Sequence, residues 1–563
     1  MNKKQLIECV PNFSEGRDMT IIKQITNAIE SVEGVKLLDV DPGKATNRTV
    51  VTFVGEPLPV IQAAFEAIKK ASEIIDMSKH SGEHPRMGAT DVCPLIPISN
   101  ISMEEVAKYA HQLAEMVGQE LDIPIYMYES AATRPERQNL ATVRAGEYEG
   151  LPEKLKQASW KPDYGPAKFN AQSGATAIGA RDFWIAYNVN LNTTSVRRAN
   201  SVAFDIREKG RVKREGNPIT GKVVNDKDGN PVREAGACKA VKAIGWYIEE
   251  YGITQISMNL TNIAVTPLHI AFEECSKSAE RRGLRVTGSE LVGLVPLKVM
   301  LDAGRYFLKK QRRSVGISEK EIIKIAIKSL GLNELSEFDP AKKIIEYQLE
   351  GTSSTPLLNM DLRAFSDETA SESPAPGGGS ISAYVGALGV SLATMVANLS
   401  SHRRVWDERW EEFSDSAAQG QILKDSLLKM VDEDTKSFNR IIDAIRMPKG
   451  TDTEKANRKA AIQTATKYAI EVPFKVMEMA LESFDVIKEM TENGNPNSVT
   501  DAGVGALCAR AAIHGAYLNV QINTKDLDDK VFVEKVLKEG KAITKKADKL
   551  EKEIMKLVNK KMG

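Results

Sequence analysis

The chain is predicted to be multidomain α/β plus all-α, with two α/β mixed-sheet subdomains followed by a helical-bundle domain. Three observations predict it. Strand and helix patterns alternate through the first third of the chain. A second strand–asparagine–loop–helix start occurs near Phe183. Beyond about Leu362 strand signals all but vanish and helical periodicity takes over. At 563 residues the chain is too long for one core, so roughly three or four domains of about 150 residues are expected.

Gln5 to Val10 is a short apolar run that breaks at Pro11-Asn12. A helix pattern follows, with Ile21, Ile25, Ala28 and Ile29 on one face. Residues 35–40 and 50–54 read as strands, and Ile61, Phe65, Ile68 and Ile75 line the buried face of the next helix. FWIAYNVNL at 183–191 is a strand run and SVRRANSVAFDIRE at 195–208 a helix, echoing IECVPNF and the helix after it. The echo suggests two related α/β subdomains. GKVVNDKDGNPVRE at 221–234 sets Asp-Gly between β-prone segments and reads as a surface hairpin.

EGTSSTPLLNM, from Glu350 on, is a polar, small-residue linker. Helical patterns then cover 381–399, 410–430 and 458–479, the last expected to kink or break at Pro473. A long charged C-terminal helix follows, with Leu550, Ile554 and Leu557 on one face. The expected boundaries are 1–183 and 184–349 for the two subdomains, 350–357 for the linker and 358–563 for the helical domain.

Composition narrows the function classes. Lys+Arg and Asp+Glu both total 76, so the zero net charge removes the simplest electrostatic argument for nucleic acid or an anionic membrane. There is no long uninterrupted apolar run, and MNKKQLIECVPNF lacks the apolar core of a signal peptide. Cys9, Cys93, Cys238, Cys275 and Cys508 are scattered, odd in number and without a CxxC pair. This fits a reducing cytoplasm and argues against a disulfide framework or a cysteine zinc site.

HSGEHPRMGATDVCP, beginning at His80, holds two of the six histidines. His80-x-x-Glu83-His84 matches an inverted zinc-protease pattern, but that chemistry needs an unbroken helix. Gly82 and Pro85 weaken a helix there, so a helix end passing into a loop is expected and zinc is not. On residue types alone, His84 is either a turn residue or a base working near pH 7. Asp41 could cap a turn. Asp432 and Asp434 would read as solvated charges on a helix. Pro376-Gly377-Gly378-Gly379-Ser380 reads either as a flexible linker or as a helix start with Ser380 as N-cap, whose free amides would attract an anion.

Longer blocks carry a resemblance. ECVPNFSEG, DVDPGKATNRTV, GEHPRMGATDVCP, RAGEYEGLPEKL, GATAIGARDF and GSELVGLVPL resemble, in order, the glutamate formimidoyltransferase family. APGGGSISAYVGALGVSLATMVANLS, VDEDTKSFNRIIDAIRMPK and AYLNVQIN resemble the formimidoyltetrahydrofolate cyclodeaminase domain. Together they cover essentially the whole chain and are similar to the bifunctional family of histidine breakdown.

The resemblance implies transfer of a formimidoyl group from N-formimidoyl-L-glutamate to N5 of tetrahydrofolate. Closure to 5,10-methenyltetrahydrofolate with release of ammonia then follows. It implies His84 and Asp434 as catalytic residues, Asp41 near the first site, and folate contacts from Gly165, Pro166, Ala167, Lys168, Phe169, Asn170, Ala171, Gln172, Ser173 and Gly174. A second folate triplet would be Asp205, Ile206 and Arg207. The expected co-substrate is polyglutamylated tetrahydrofolate, with no metal, no nucleic acid or membrane partner, and a homo-oligomer built from dimers. The alternatives are a C-terminal methenyltetrahydrofolate cyclohydrolase, a folate-binding scaffold without turnover, and a zinc hydrolase.

Overall fold

The structure is a computed structural model that describes residues 5–43, 47–81, 85–216, 220–249, 251–350 and 356–563. It divides into two compact units, Met1–Val299 with Leu330–Glu350, and Met300–Ser329 with Gly351–Gly563. Residues 300–329 thus group with the helical unit, whereas the expected boundary placed them before the linker.

In the first unit, seven strands form one mixed sheet: β1 (Leu6–Cys9), β2 (Asn12–Phe13), β3 (Val35–Gly43), β4 (Arg48–Gly55), β5 (Thr90–Ser99), β6 (Ile125–Glu129) and β7 (Thr176–Ala180). β1 and β2 are two pieces of one line, both paired between β4 and β5. Pro11 sits in the break, where its missing N–H costs no ladder bond. β3 pairs antiparallel with β4, while β7 runs parallel to β5 and β6. The helix Met19–Glu30 starts at Asp18, whose carboxylate accepts from Thr20 N–H, and buries Ile22, Ile25 and Ile29. Pro57–Ile74 starts with proline in its first turn. Met103–Glu120 opens on a Ser102–Glu105 capping box.

A second sheet follows in the order β11 (Val241–Ile248), β12 (Ile253–Leu260), β8 (Ile185–Leu191), β13 (Val286–Val292), antiparallel throughout. Between β8 and β11, β9 (Arg211–Val212) pairs with β10 (Arg233–Glu234), and inside that pair lies the expected hairpin, where Val232 N–H donates to Val224 O and Asp226 N–H to Asn230 O, both at 2.8 Å. Its turn uses Gly229 at φ +82.

The two sheets share one plan. In each, a strand leads to a helix (Met19–Glu30 or Val196–Ile206) and then to a hairpin (β3–β4 or β11–β12). A second helix follows (Pro57–Ile74 or Leu268–Glu280) and then a strand (β5 or β13). The order β3-β4-β1-β5 matches β11-β12-β8-β13, so both halves are βαββαβ folds and the sequence echo reflects a structural repeat.

The second unit is built on Gly378–Ser401, Trp410–Arg446, Asp452–Asn493, Val499–Asn523 and Lys530–Met562. Its core includes Val390, Val396, Phe413, Leu427, Ile470, Phe484 and Ile513. Small residues let helices close in: a Cβ on Gly389 would lie 2.9 Å from Gly505 O. Gly378–Ser401 is long and apolar enough to cross a membrane by length and composition, but Ala383, Ala387, Val390, Ala393, Val396 and Ala397 are buried in this core.

The break expected at Pro473 does not occur. Asp452–Asn493 runs through it as one 42-residue helix. Proline cannot donate to the carbonyl four residues back. That carbonyl, Ala469 O, accepts instead from Asn523 Nδ2 at 2.8 Å.

Candidate functional sites

His84 lies outside the described residues, but both flanks of its loop are placed. His80 Nε2 lies 2.9 Å from Asn47 O, and His80 Nδ1 accepts from Arg86 Nε–H at 3.3 Å. Both ring nitrogens are therefore occupied, with the proton on Nε2, which leaves His80 without a nitrogen for a metal. Asn47 also donates from its side chain to Ser81 O, tying the β3–β4 connection to this loop. Asp41 stands exposed near the end of β3, paired with Val50.

Arg86 grips Glu149 with two nitrogens, at 2.6 and 2.9 Å, and reaches Glu147 at 3.1 Å. Donation to the Glu149 carboxylate holds its guanidinium above its usual pKa. These residues, with His80, Ser81 and Gly146, line a cleft of about 540 Å³.

Beneath the loop, Asp91 is fully buried and pairs with both Arg48 and Arg144, while its other oxygen accepts Met87 N–H at 3.0 Å. Two guanidiniums share one carboxylate. Burial and the nearby charge of Arg144 push Arg48 below its usual pKa, against the pull of Asp91. Arg144 also borders a second cleft, of about 400 Å³, with Glu129, Arg181, Asp182, Trp184 and Lys242.

The 165–174 segment meets the same loop from the other side. Ala89 N–H donates to Ser173 O at 2.9 Å and Ala175 N–H to Met87 O at 3.1 Å. Gly174 has φ +66, and a Cβ there would lie 2.2 Å from Met87 O. A Cβ on Gly165 would lie 2.2 Å from Ile123 O. The close approach these glycines permit is to neighbouring backbone. Phe169 packs on Tyr148 at 5.5 Å, and Tyr148 Oη donates to Ala171 O at 2.5 Å. Asn170 caps Gln172 and Ser173, Gln172 ties back to Ser72 and Glu73, and Ala167 and Lys168 are exposed.

The 205–207 triplet is engaged elsewhere. Asp205 accepts from Arg211, Arg282 and Ser278, Ile206 is buried, and Arg207 stacks 4.1 Å from the Phe204 ring. Arg207 also donates to Gly210 O at 3.1 Å.

In the helical unit, Asp434 reaches the first turn of Gly378–Ser401. Ser380 N–H donates to Asp434 Oδ2 at 2.9 Å, and Ser380 Oγ lies 3.1 Å from the same oxygen. The N-cap is Gly377, so Ser380 is one turn inside rather than capping. The anion at this helix start is the chain's own carboxylate. A Cβ on Gly379 would lie 2.1 Å from Asp434 Oδ1, so only glycine admits this contact. Burial raises the Asp434 pKa, opposed by the Ser380 hydrogen bonds. Asp434 lines a cleft of about 130 Å³ with Gly377, Gly378, Thr435, Phe438, Asn519 and Asn523.

Asp432 is not the solvated charge its pattern suggested. It is 3% exposed and accepts Leu357 N–H at 3.0 Å and Leu358 N–H at 3.3 Å. It pins the segment entering the bundle, and points away from the cleft that Asp434 lines.

Arg48, Asp91, Arg144, Asn519 and Asn523 were not singled out from the sequence, although all lie within the blocks that carry the resemblance. Charged residues inside otherwise apolar strand runs, such as Asp91 in β5, were the available signal.

Comparison with known proteins follows this division. Residues 6–181 match the family model "Formiminotransferase domain, N-terminal subdomain", residues 186–350 "Formiminotransferase domain", and residues 361–542 "Formiminotransferase-cyclodeaminase". The chain is 43% identical over 532 residues to formimidoyltransferase-cyclodeaminase of Mus musculus, covering 94% of each chain. It is 43% identical over 305 residues to glutamate formimidoyltransferase of Streptococcus pyogenes, covering 54% of this chain and 94% of that one. It is 36% identical over 205 residues to methenyltetrahydrofolate cyclohydrolase of Methylorubrum extorquens, covering 36% of this chain and 99% of that one.

Proposed function

The chain belongs to the formimidoyltransferase-cyclodeaminase family, and on that premise we propose how two folate reactions are divided along it. It is a glutamate formimidoyltransferase and a formimidoyltetrahydrofolate cyclodeaminase. Transfer falls to the two βαββαβ subdomains, 1–183 and 184–349, and cyclisation to 358–563.

In transfer, N5 of tetrahydrofolate attacks the amidine carbon of N-formimidoyl-L-glutamate. The attacking nitrogen must lose a proton as that carbon becomes tetrahedral, and a neutral His84 takes it. Asp41 steadies the cationic centre electrostatically. The family resemblance assigns folate contacts to residues 165–174 and 205–207, of which Ala167 and Lys168 are exposed. The donor is a dicarboxylate, and three cations (Arg144, Arg181, Lys242) against two acids (Glu129, Asp182) in the 400 Å³ cleft suit it.

In cyclisation, N10 attacks the amidine carbon, its proton passes to Asp434, and Asp434 returns it to the departing nitrogen, which leaves as ammonia. A carboxyl whose pKa is raised by burial can hold that proton nearer neutral pH than an exposed one. The observation carrying this reading is the Asp434 carboxylate, held by the first turn of Gly378–Ser401 and facing a cleft.

The assay supplies purified enzyme with N-formimidoyl-glutamate and tetrahydrofolate and measures ammonia against methenyl product. Equal amounts are expected. Methenyl turnover without ammonia would instead support a cyclohydrolase, which the match to the bifunctional relative over 94% of both chains disfavours.

The wider reading is a cytoplasmic enzyme of histidine degradation that uses polyglutamylated folate, needs no metal and engages neither nucleic acid nor membrane. A homo-oligomer built from dimers is supported by exposed Leu388, Met395 and Leu399 on one helix and Val504, Leu507 and Leu518 on another.

A further inference from the structure

Two asparagines in the Asp434 cleft have their orientation set by the backbone around them. Asn519 and Asn523 lie one turn apart on Val499–Asn523, and both line the cleft. Asn519 Nδ2 donates to Gly515 O at 2.9 Å, and Asn523 Nδ2 donates to Ala469 O at 2.8 Å. With one N–H of each amide committed to a carbonyl, neither amide can flip, and each amide oxygen is left as a free acceptor. Neither oxygen has a hydrogen-bond partner among the described residues.

The glycine-rich helix start brings the Asn519 amide and the acid together. A Cβ on Gly378 would lie 3.2 Å from Asn519 Nδ2, and one on the adjacent Gly379 would lie 2.1 Å from Asp434 Oδ1. Thr435 Oγ1, beside Asp434, is buried and has no partner among the described residues. No lysine or arginine among the described residues lines the cleft, and Phe438 and Ile441 supply apolar surface. The wall therefore carries carboxylate, amide and hydroxyl acceptors and no side-chain cation to repel a positive group. It suits a ligand group that carries N–H bonds and positive charge.

The formimidoyl group is such a group. Protonated, its terminal nitrogen carries two N–H bonds and shares an amidinium charge. We propose that Asn519 and Asn523 accept hydrogen bonds from that nitrogen, and thereby make the site select a formimidoyl over a formyl group at N5. The assignment rests on the cyclodeaminase reading of this cleft. During the reaction the C–N10 bond forms and the N10 proton moves through Asp434 to the terminal nitrogen. The bond from carbon to that nitrogen then breaks and ammonia leaves. The two amide oxygens hold the nitrogen's hydrogens throughout. A formyl group instead sets a carbonyl oxygen against acceptors, and a site built to pair with N–H groups rejects such a mismatch.

The test uses the full chain supplied with 5-formimidoyltetrahydrofolate. It measures KM and kcat for ammonia release, and the inhibition constant of 5-formyltetrahydrofolate against cyclisation. In Asn519→Ala and Asn523→Ala, KM is expected to rise roughly tenfold, while the inhibition constant stays level or falls. Asn519→Asp keeps an acceptor, sets its second oxygen against Gly515 O, and is expected to retain discrimination between the two groups at some cost in stability. The rate of formimidoyl transfer checks that each variant folds.

If KM and the inhibition constant rise by the same factor, the asparagines serve general folate binding and the proposal is overturned. No change in either constant, or loss of discrimination in Asn519→Asp equal to that in Asn519→Ala, overturns it too. Absence of ammonia from the unmodified enzyme would strike the cyclodeaminase reading itself. Intact ammonia release with unaltered discrimination would strike only the asparagine assignment.

Discussion

Asn523 donates its side-chain amide to the backbone carbonyl of Ala469 across two helices at 2.8 Å, filling the place that Pro473 leaves open. One bond thus repairs a helix interrupted by proline and turns the amide oxygen of Asn523 toward the cleft that holds Asp434. Structural repair and ligand recognition are linked at this point.

Pro473→Ala restores an N–H that can bond Ala469 O and releases Asn523. We expect the helical unit to gain up to about 3 kcal/mol of stability, while KM for 5-formimidoyltetrahydrofolate rises. Chemical denaturation and steady-state ammonia release check the two halves. A stabilised variant with unchanged KM would show that Asn523 is held in place by other means.

Asp434→Asn is expected to lower ammonia release by about a hundred- to ten-thousand-fold, the usual range for a lost acid–base group. Formimidoyl transfer should continue, so 5-formimidoyltetrahydrofolate should accumulate. The same change should stabilise the fold at neutral pH. The Asp434 pKa is raised, so above it the folded state bears the cost of a buried charge that the unfolded state does not. That gain should fade as pH falls and the carboxyl protonates in both states. Thermal melts at neutral and acid pH provide the check.

Asp432→Asn should behave in the opposite way. Its carboxylate accepts two backbone N–H groups, and an asparagine amide would face one of them with its own N–H. A loss of about 1–3 kcal/mol in stability is expected, with kcat for ammonia release close to that of the unmodified enzyme. Comparable kcat losses in the two aspartate variants would contradict the assignment of the proton to Asp434.

His84→Ala should abolish transfer and leave cyclisation of supplied 5-formimidoyltetrahydrofolate intact, since the two motif sets lie in different parts of the chain. Loss of both activities in a folded variant would refute separate sites.

Glu8→Gln addresses the transferase unit. Burial pushes the Glu8 pKa up to about 8, partly opposed by Arg181. Against an unfolded value near 4.5, the stability associated with the protonated form is fully present in acid and is lost as pH rises through about 8. The glutamine variant has no such proton to lose. Its melting temperature should exceed that of the unmodified chain increasingly as pH climbs from about 5 to about 8, and parallel pH profiles would count against a protonated Glu8.

The sequence by itself determined the element types, the change from α/β to helical architecture, the surface hairpin and the motif blocks. Periodicity reports which face of an element is buried, and Gly and Pro report local backbone, so these features are legible one segment at a time. It also hinted at the internal repeat, because both halves open with the same strand–loop–helix order. Only the tertiary structure decided what each face meets. Pro473 predicted a break because it cannot donate to Ala469 O, but the replacement donor, Asn523, lies 54 residues beyond Ala469. Ser380 looked like a cap until Asp434, 54 residues away, was found at its N–H. Asp432 and Asp434 are two residues apart on one helix, and helical geometry turns them to different faces, one to Leu357 and one to the cleft. Hydrogen-bond partners and buried charge pairs are properties of distant segments brought together, and no local pattern encodes which segment will arrive.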